Sequence, residues 1–154
     1  MALMGAAMST VNCAEKRVST RRDIMDAVIN DILPWIEENL FDESLRIKSV
    51  TARSGYGHWH FQRLFRQHTG INLATYIRVR RIIRAAFSVA FSDKHIFDIA
   101  IENGFSSQQN FSRTFKEYLN LSPIFFRQAC SGQEAAFRQL TLDLHRDYAF
   151  LFFR

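Results

Sequence analysis

Apolar residues recur three and four apart along most of this chain, with polar residues between them. That is the period of a helix lying on a core. Asp23 to Leu40 carries Ile24, Val28, Ile32, Trp35, Ile36 and Leu40 at this spacing. Pro34 falls inside the run and lacks a backbone donor, so a kink or a late start is expected there. Ser44 or Leu45 to Ser54 reads as a second helix with Ile47, Val50 and Thr51 facing inward. Gly55-Tyr56-Gly57 is a turn. His58 to His68 follows as a third helix with Phe61, Leu64 and Phe65 as its buried stripe, and Gly70 closes it. Leu73 to Ala90 is the longest pattern, with Tyr76, Ile77, Ile83, Ala86, Phe87 and Ala90 as apolar surface. At the helical rise it spans roughly 27 Å and reads as a rigid spacer. Ile96 to Asn103 predicts a fifth helix and Gly104-Phe105-Ser106 a turn. Ser107 to Leu119 predicts a sixth helix packing through Phe111, Phe115 and Leu119, and Ser122-Pro123 opens a short seventh.

The pattern changes after Ser131. Glu134 to Leu140 can be helical, but Leu140, Leu142 and Leu144 alternate with polar residues, which is a strand's period. Phe150-Leu151-Phe152-Phe153 needs a surface to dock on. The expected class is all-α, with about seven helices and a C-terminal tail of unsettled form. The expected division is an N-terminal extension over 1–22, a helix-turn-helix unit over 23–72, a linker helix over 73–91, a second unit over 92–129 and an extension over 130–154.

Two of these segments repeat one another. Gly55 and Gly104 are 49 residues apart, while Phe61 and Phe111, Arg63 and Arg113, Phe65 and Phe115, and Arg66 and Lys116 are each 50 apart. An α-helix fits the major groove of DNA, where base edges carry a distinguishable donor and acceptor code. In the first copy Trp59, Gln62, Arg63 and Arg66 fall opposite the apolar stripe. Arg63 can hold guanine O6 and N7, Gln62 can pair with adenine, and Trp59 offers an apolar face to a thymine methyl. The second copy carries Gln108, Gln109, Ser112 and Arg113 on the same plan. Arg66 and Lys116, one turn later, suit phosphate.

Charge strengthens this reading. Asp23 to Glu43 holds seven acids and no Lys or Arg, whereas Ser44 to Ser92 holds nine Lys/Arg and no acid. Such a stretch is an electrostatic footprint for a polyanion. The first copy lies inside it, while the second has Asp98, Glu102 and Glu117 nearby, so the first is expected to bind DNA more strongly.

Other chemistry finds little support. His58 and His60 are two apart and fall on different helix faces, and His68, His95 and His145 are scattered, so no metal site is expected. Cys13 and Cys130 lack the spacing of a redox motif and read as reduced cytoplasmic thiols. No phosphate-binding glycine loop or catalytic triad pattern occurs, and neither a cofactor nor enzymatic activity is expected. Met1 to Met8 is apolar but too short to span a membrane and has no basic run ahead of it. It reads as a floppy extension in which Met4 and Met8 offer alternative starts.

The quoted residues resemble the DNA-binding domain of the AraC/XylS family of bacterial transcription regulators over about Asp23 to Gln128. The pieces that carry the likeness are Ser54-Gly55-Tyr56, Trp59 through Phe65, Tyr76 through Arg81, Gly104-Phe105, Ser107-Gln108-Gln109, Arg113 through Lys116, and Ser122-Pro123 with Phe126-Arg127. The tryptophan and the Gln-Gln pair are similar to the family's small stress-response branch. The resemblance implies two helix-turn-helix units on a linker helix, bound as a monomer to successive major grooves of one asymmetric double-stranded DNA site. It implies base reading by Trp59, Gln62, Arg63, Gln108, Gln109, Ser112 and Arg113, and phosphate contact by His58, Arg66, Lys116 and Arg78. It also implies activation through RNA polymerase. Gly57 stands where that branch commonly has a Ser cap, His58 where it has Lys, Asn120 where Gly is frequent, and Phe126 where Tyr is. Repression through the same contacts, or protein binding through the C-terminal tail, are the alternative readings.

Overall fold

A computed structural model describes residues 20–152, which fold into nine α-helices, with no strand among the described residues. The first, α1, runs Arg21–Asn39. Thr20 caps it: its hydroxyl oxygen accepts from the Asp23 N–H at 3.2 Å, and the Asp23 carboxylate accepts from the Thr20 N–H at 2.8 Å. The Thr20 hydroxyl, donating to the Asp23 carboxylate at 2.7 Å, and the Thr20 N–H beside it hold that carboxyl below the usual carboxylate range. The expected late start at Pro34 does not occur. The helix runs through Pro34, which lies exposed. Its buried stripe is Met25, Ile29, Ile32, Leu33 and Ile36. Ile24, expected to face the core, is half exposed instead. The expected floppy segment and Cys13 fall largely on residues 1–19, outside the described residues.

The second helix, α2, begins at Ile47, later than the Ser44 or Leu45 start expected, and runs Ile47–Ser54. Helix α3 runs His58–Thr69, α4 Leu73–Phe91, α5 Ile96–Glu102, α6 Gln108–Leu119 and α7 Pro123–Cys130. The local signals for these hold. Asn72, Ser107 and Ser122 each cap the helix that follows with a side-chain oxygen. Asn120 closes α6 in the left-handed region, φ 62°. Gly57 precedes α3 without a capping side chain.

The tail differs from expectation. Glu134–Leu140 forms α8 and Leu142–Phe152 forms α9, so the alternating leucines belong to two helices, not a strand. Thr141 between them is buried and gives its hydroxyl hydrogen to the Phe137 carbonyl at 2.8 Å. The break there resets the helical phase, which is why a spacing of two carries no strand. Leu144 is buried while Leu142 lies exposed.

The long helix α4 is more than a spacer. It packs against α3, α5, α6, α7 and α9. Eleven of its residues are buried, including Arg80. One apolar core runs from Ile29 of α1 through Phe61, Phe65, Ile82, Phe111 and Phe126 to Leu151 of α9. Three arginines of α4 point back at the C-terminal end of α1. Arg80 grips the Glu37 carboxylate with Nε at 2.8 Å and Nη2 at 2.7 Å, and its Nη1 donates to the Leu151 carbonyl. Arg81 donates to the Leu40 carbonyl at 2.9 Å and the Asp42 carbonyl at 2.7 Å. Arg84 reaches the Glu37 carbonyl at 3.4 Å. Helix ends leave carbonyls without intrahelical partners, and guanidinium groups satisfy them here. Arg127 repeats the device at the end of α4, donating to Val89 O at 2.8 Å and Lys94 O at 2.7 Å.

Candidate nucleic-acid interface

Each repeat folds as a helix, a turn through a left-handed glycine, and a second helix. Gly55 has φ 74° between α2 and α3, and Gly104 has φ 78° between α5 and α6. The second helices, α3 and α6, match position by position. Phe61 and Phe65 of α3, and Phe111 and Phe115 of α6, are fully buried. Arg63, Arg66, Arg113 and Lys116 are exposed. Trp59 and Gln109, which correspond, are both exposed, and so the pairs His58 and Gln108, and Gln62 and Ser112, are both half-buried. A tryptophan with 80% of its surface open to solvent is unusual in a folded chain, because a large apolar ring is ordinarily used for packing.

The two glycine turns are not equivalent. A Cβ at Gly55 would meet nothing within 4 Å, whereas one at Gly104 would lie 2.5 Å from Leu40 O and 2.8 Å from the Arg81 guanidinium. The second turn is therefore seated directly on the end of α1, with Arg81 wedged between them. Burial draws the Arg81 pKa below its ordinary value, and the neighbouring Asp42 opposes that shift.

Two imidazoles are engaged on α3. The His58 ring lies between α2 and α3, with Nδ1 3.1 Å from Thr51 Oγ1 and Nε2 3.0 Å from Gln62 Nε2. His60 Nδ1 accepts from Arg63 Nη2 at 3.2 Å. The His58 ring, expected on a phosphate, thus has both nitrogens engaged within the protein.

The acid-free basic stretch divides when its residues are placed. Arg80 and Arg81 are turned inward, Arg84 leans on α1, and the Arg53 guanidinium lies 4.9 Å over the Trp35 ring. Arg46, Lys48, Arg63, Arg66 and Arg78 remain on the exposed surface. Of the nine Lys/Arg expected to form a polyanion footprint, Arg80 and Arg81 are internal ties, and Arg127, beyond that stretch, is a third. The seven acids preceding the stretch were a signal for the Glu37 pairing, but nothing in the spacing singled Glu37 out.

The Helix-turn-helix domain model matches residues 39–129. Multiple antibiotic resistance protein MarA of Escherichia coli (strain K12) is 39% identical over 118 residues, which cover 77% of this chain and 92% of MarA. The chain belongs to the AraC/XylS family. HTH-type transcriptional activator AarP of Providencia stuartii is 42% identical over 106 residues, covering 69% of this chain and 78% of AarP. The DNA-binding domain of AdpA, the global transcriptional factor, solved in complex with a target DNA, shares the fold of this AraC/XylS member. Its TM-score is 0.65 at 23% identity, covering 70% of this chain and 96% of that domain. As a member of the family the chain is a DNA-binding transcription regulator, similar to MarA and belonging with the regulators rather than with enzymes. Among the described residues no helix is long and apolar enough to cross a membrane, and no cluster of His, Cys, Asp or Glu could hold a metal ion.

Proposed function

We propose that this regulator binds one asymmetric DNA site as a monomer, lays α3 and α6 in successive major grooves, and activates transcription through RNA polymerase in the bacterial cytoplasm. The observation that carries the reading is the match between the two reader helices: the buried pair Phe61 and Phe65 coincides with Phe111 and Phe115, while the exposed faces differ in identity. A symmetric dimer reads one half-site twice; two different faces on one chain read two different half-sites. Trp59, Gln62 and Arg63 read bases in one groove, and Gln108, Gln109, Ser112 and Arg113 in the next. Arg66, Arg78 and Lys116 hold phosphates. His58 does not join them, because both ring nitrogens are already engaged. The first unit, 23–72, contributes more of the affinity than the second, 92–129. Activation is supported by the similarity to AarP, which is named an activator.

Binding to duplexes selected from a random pool tests the proposal. Affinity should fall with salt, each phosphate neutralised adding about 0.9 to the slope of log K against log salt. A flat response would remove the DNA interface assigned here. Arg63→Ala and Arg113→Ala should each cost roughly 1–3 kcal/mol on the selected site and much less on random DNA. An equal loss on both would reassign them to phosphate. Arg66→Ala should weaken all sequences alike, measured on the same pair of duplexes.

A further inference from the structure

The His58 ring forms part of a relay whose direction is set by its far end. Thr51 Oγ1 lies 3.2 Å from the Lys48 carbonyl and donates its hydrogen there. A hydroxyl has one hydrogen, so towards His58 the same oxygen can only accept. His58 Nδ1 therefore carries the ring proton and donates to Thr51 at 3.1 Å. A neutral imidazole with Nδ1 protonated has a bare Nε2, and that atom accepts from the Gln62 amide nitrogen 3.0 Å away. Thr51 is only 4% exposed, so water does not compete for the anchor. The consequence falls on Gln62. Its amide nitrogen is held inward against the ring, which leaves its Oε1 as the atom presented outward, with the second amide hydrogen beside it.

We infer that His58 is a positioning residue that fixes the Gln62 amide with its carbonyl outward, so that the first unit selects a base bearing an amino donor in the major groove. This rests on the proposed base-reading role of Gln62. An outward carbonyl oxygen accepts from adenine N6 or cytosine N4, and with adenine the remaining amide hydrogen can also reach N7. Guanine O6 and thymine O4 are acceptors and meet the same oxygen unfavourably. An unbraced glutamine turns its amide over and takes either kind of edge. The matching places on α6 hold Gln108 and Ser112, so this brace belongs to the first unit alone.

The test compares the four base pairs at every position of the selected site, by fluorescence anisotropy, for the full chain and its variants. Gln62→Ala should flatten the preference at one position and so locate it. His58→Ala should flatten the same position by about three- to tenfold, the worth of one oriented hydrogen bond, and leave the others unchanged. His58→Ala combined with Gln62→Ala should be no flatter than Gln62→Ala alone. Thr51→Val, at a buried residue that touches no DNA, should flatten that position too, and its thermal unfolding separates this effect from a loss of fold. Three results would overturn the inference. Uniform weakening by His58→Ala on selected and random DNA, with a salt slope smaller by about 0.9, would make His58 a phosphate contact. An unchanged preference in His58→Ala beside a flattened one in Gln62→Ala would make the ring a packing group. No position responding to Gln62→Ala would remove Gln62 from the readers and the brace with it, while leaving Arg63 and Arg113 to stand on their own losses.

Discussion

Gly104→Ala should destabilise the protein by about 2–5 kcal/mol, far more than the same change at the corresponding Gly55. Both positions have positive φ, 78° and 74°, and a side chain in that region costs about 1–2 kcal/mol at either. At Gly55 nothing lies within 4 Å of the added methyl, so the backbone term is the whole cost. At Gly104 the methyl would sit 2.5 Å from a backbone oxygen, Leu40 O, and 2.8 Å from the Arg81 guanidinium that binds the same oxygen. Neither can move freely, because Arg81 is tied to Leu40 and Asp42 at once. Overpacking of this kind adds about 1–3 kcal/mol. Denaturant unfolding of the two variants side by side measures the difference. Equal losses would mean that the second turn is not seated on α1 as described. Anisotropy on the selected site gives a second readout, because a shifted seat should weaken binding to the joined half-sites.

Arg80→Ala is the second large effect, expected near 3 kcal/mol. Removing one partner of a buried ion pair ordinarily costs about 3–5 kcal/mol. The lower end applies because Glu37 keeps 22% of its side-chain surface in water and receives the Tyr76 hydroxyl at 3.3 Å. The variant also deprives the Leu151 carbonyl of its guanidinium donor, so α9 should loosen from α4. The melting temperature should fall by roughly 10 °C for a chain of this size. Amide exchange should quicken over α9 before it does over α3. A loss under about 1 kcal/mol would show that Tyr76 and water suffice for Glu37.

These two sites mark the limit of what the chain discloses in one dimension. The helices of both units were legible because their signals are local: Phe61 and Phe65 four apart, Ser107 and Ser122 ahead of their helices, Gly55 and Gly104 at matched places. The matched exposed positions of α3 and α6 emerged in register for the same reason. Arg80 and Arg81 were misjudged as surface charge because their partners, Glu37 and Leu40, lie about forty residues earlier and become neighbours only when α4 folds back on α1. The brace on Gln62 was hidden in another way. His58 and Gln62 are one helical turn apart, so their contact is a local matter, but the direction of the bond depends on Thr51 across the turn. The tail was misread because alternating leucines in a row need not share one element, and Thr141 separates two helices at that point.

The burial of α4 has a thermodynamic consequence. A helix enclosed by neighbours from both units and from the tail has no stable form with either half removed, since Ile82, Val89 and their partners would face water. Heat should melt the chain as one cooperative transition rather than two. Under the proposed two-groove binding, gripping a single groove should raise the melting point of the whole body, so that occupancy of one half-site keeps the other helix folded and in place before it meets its own bases.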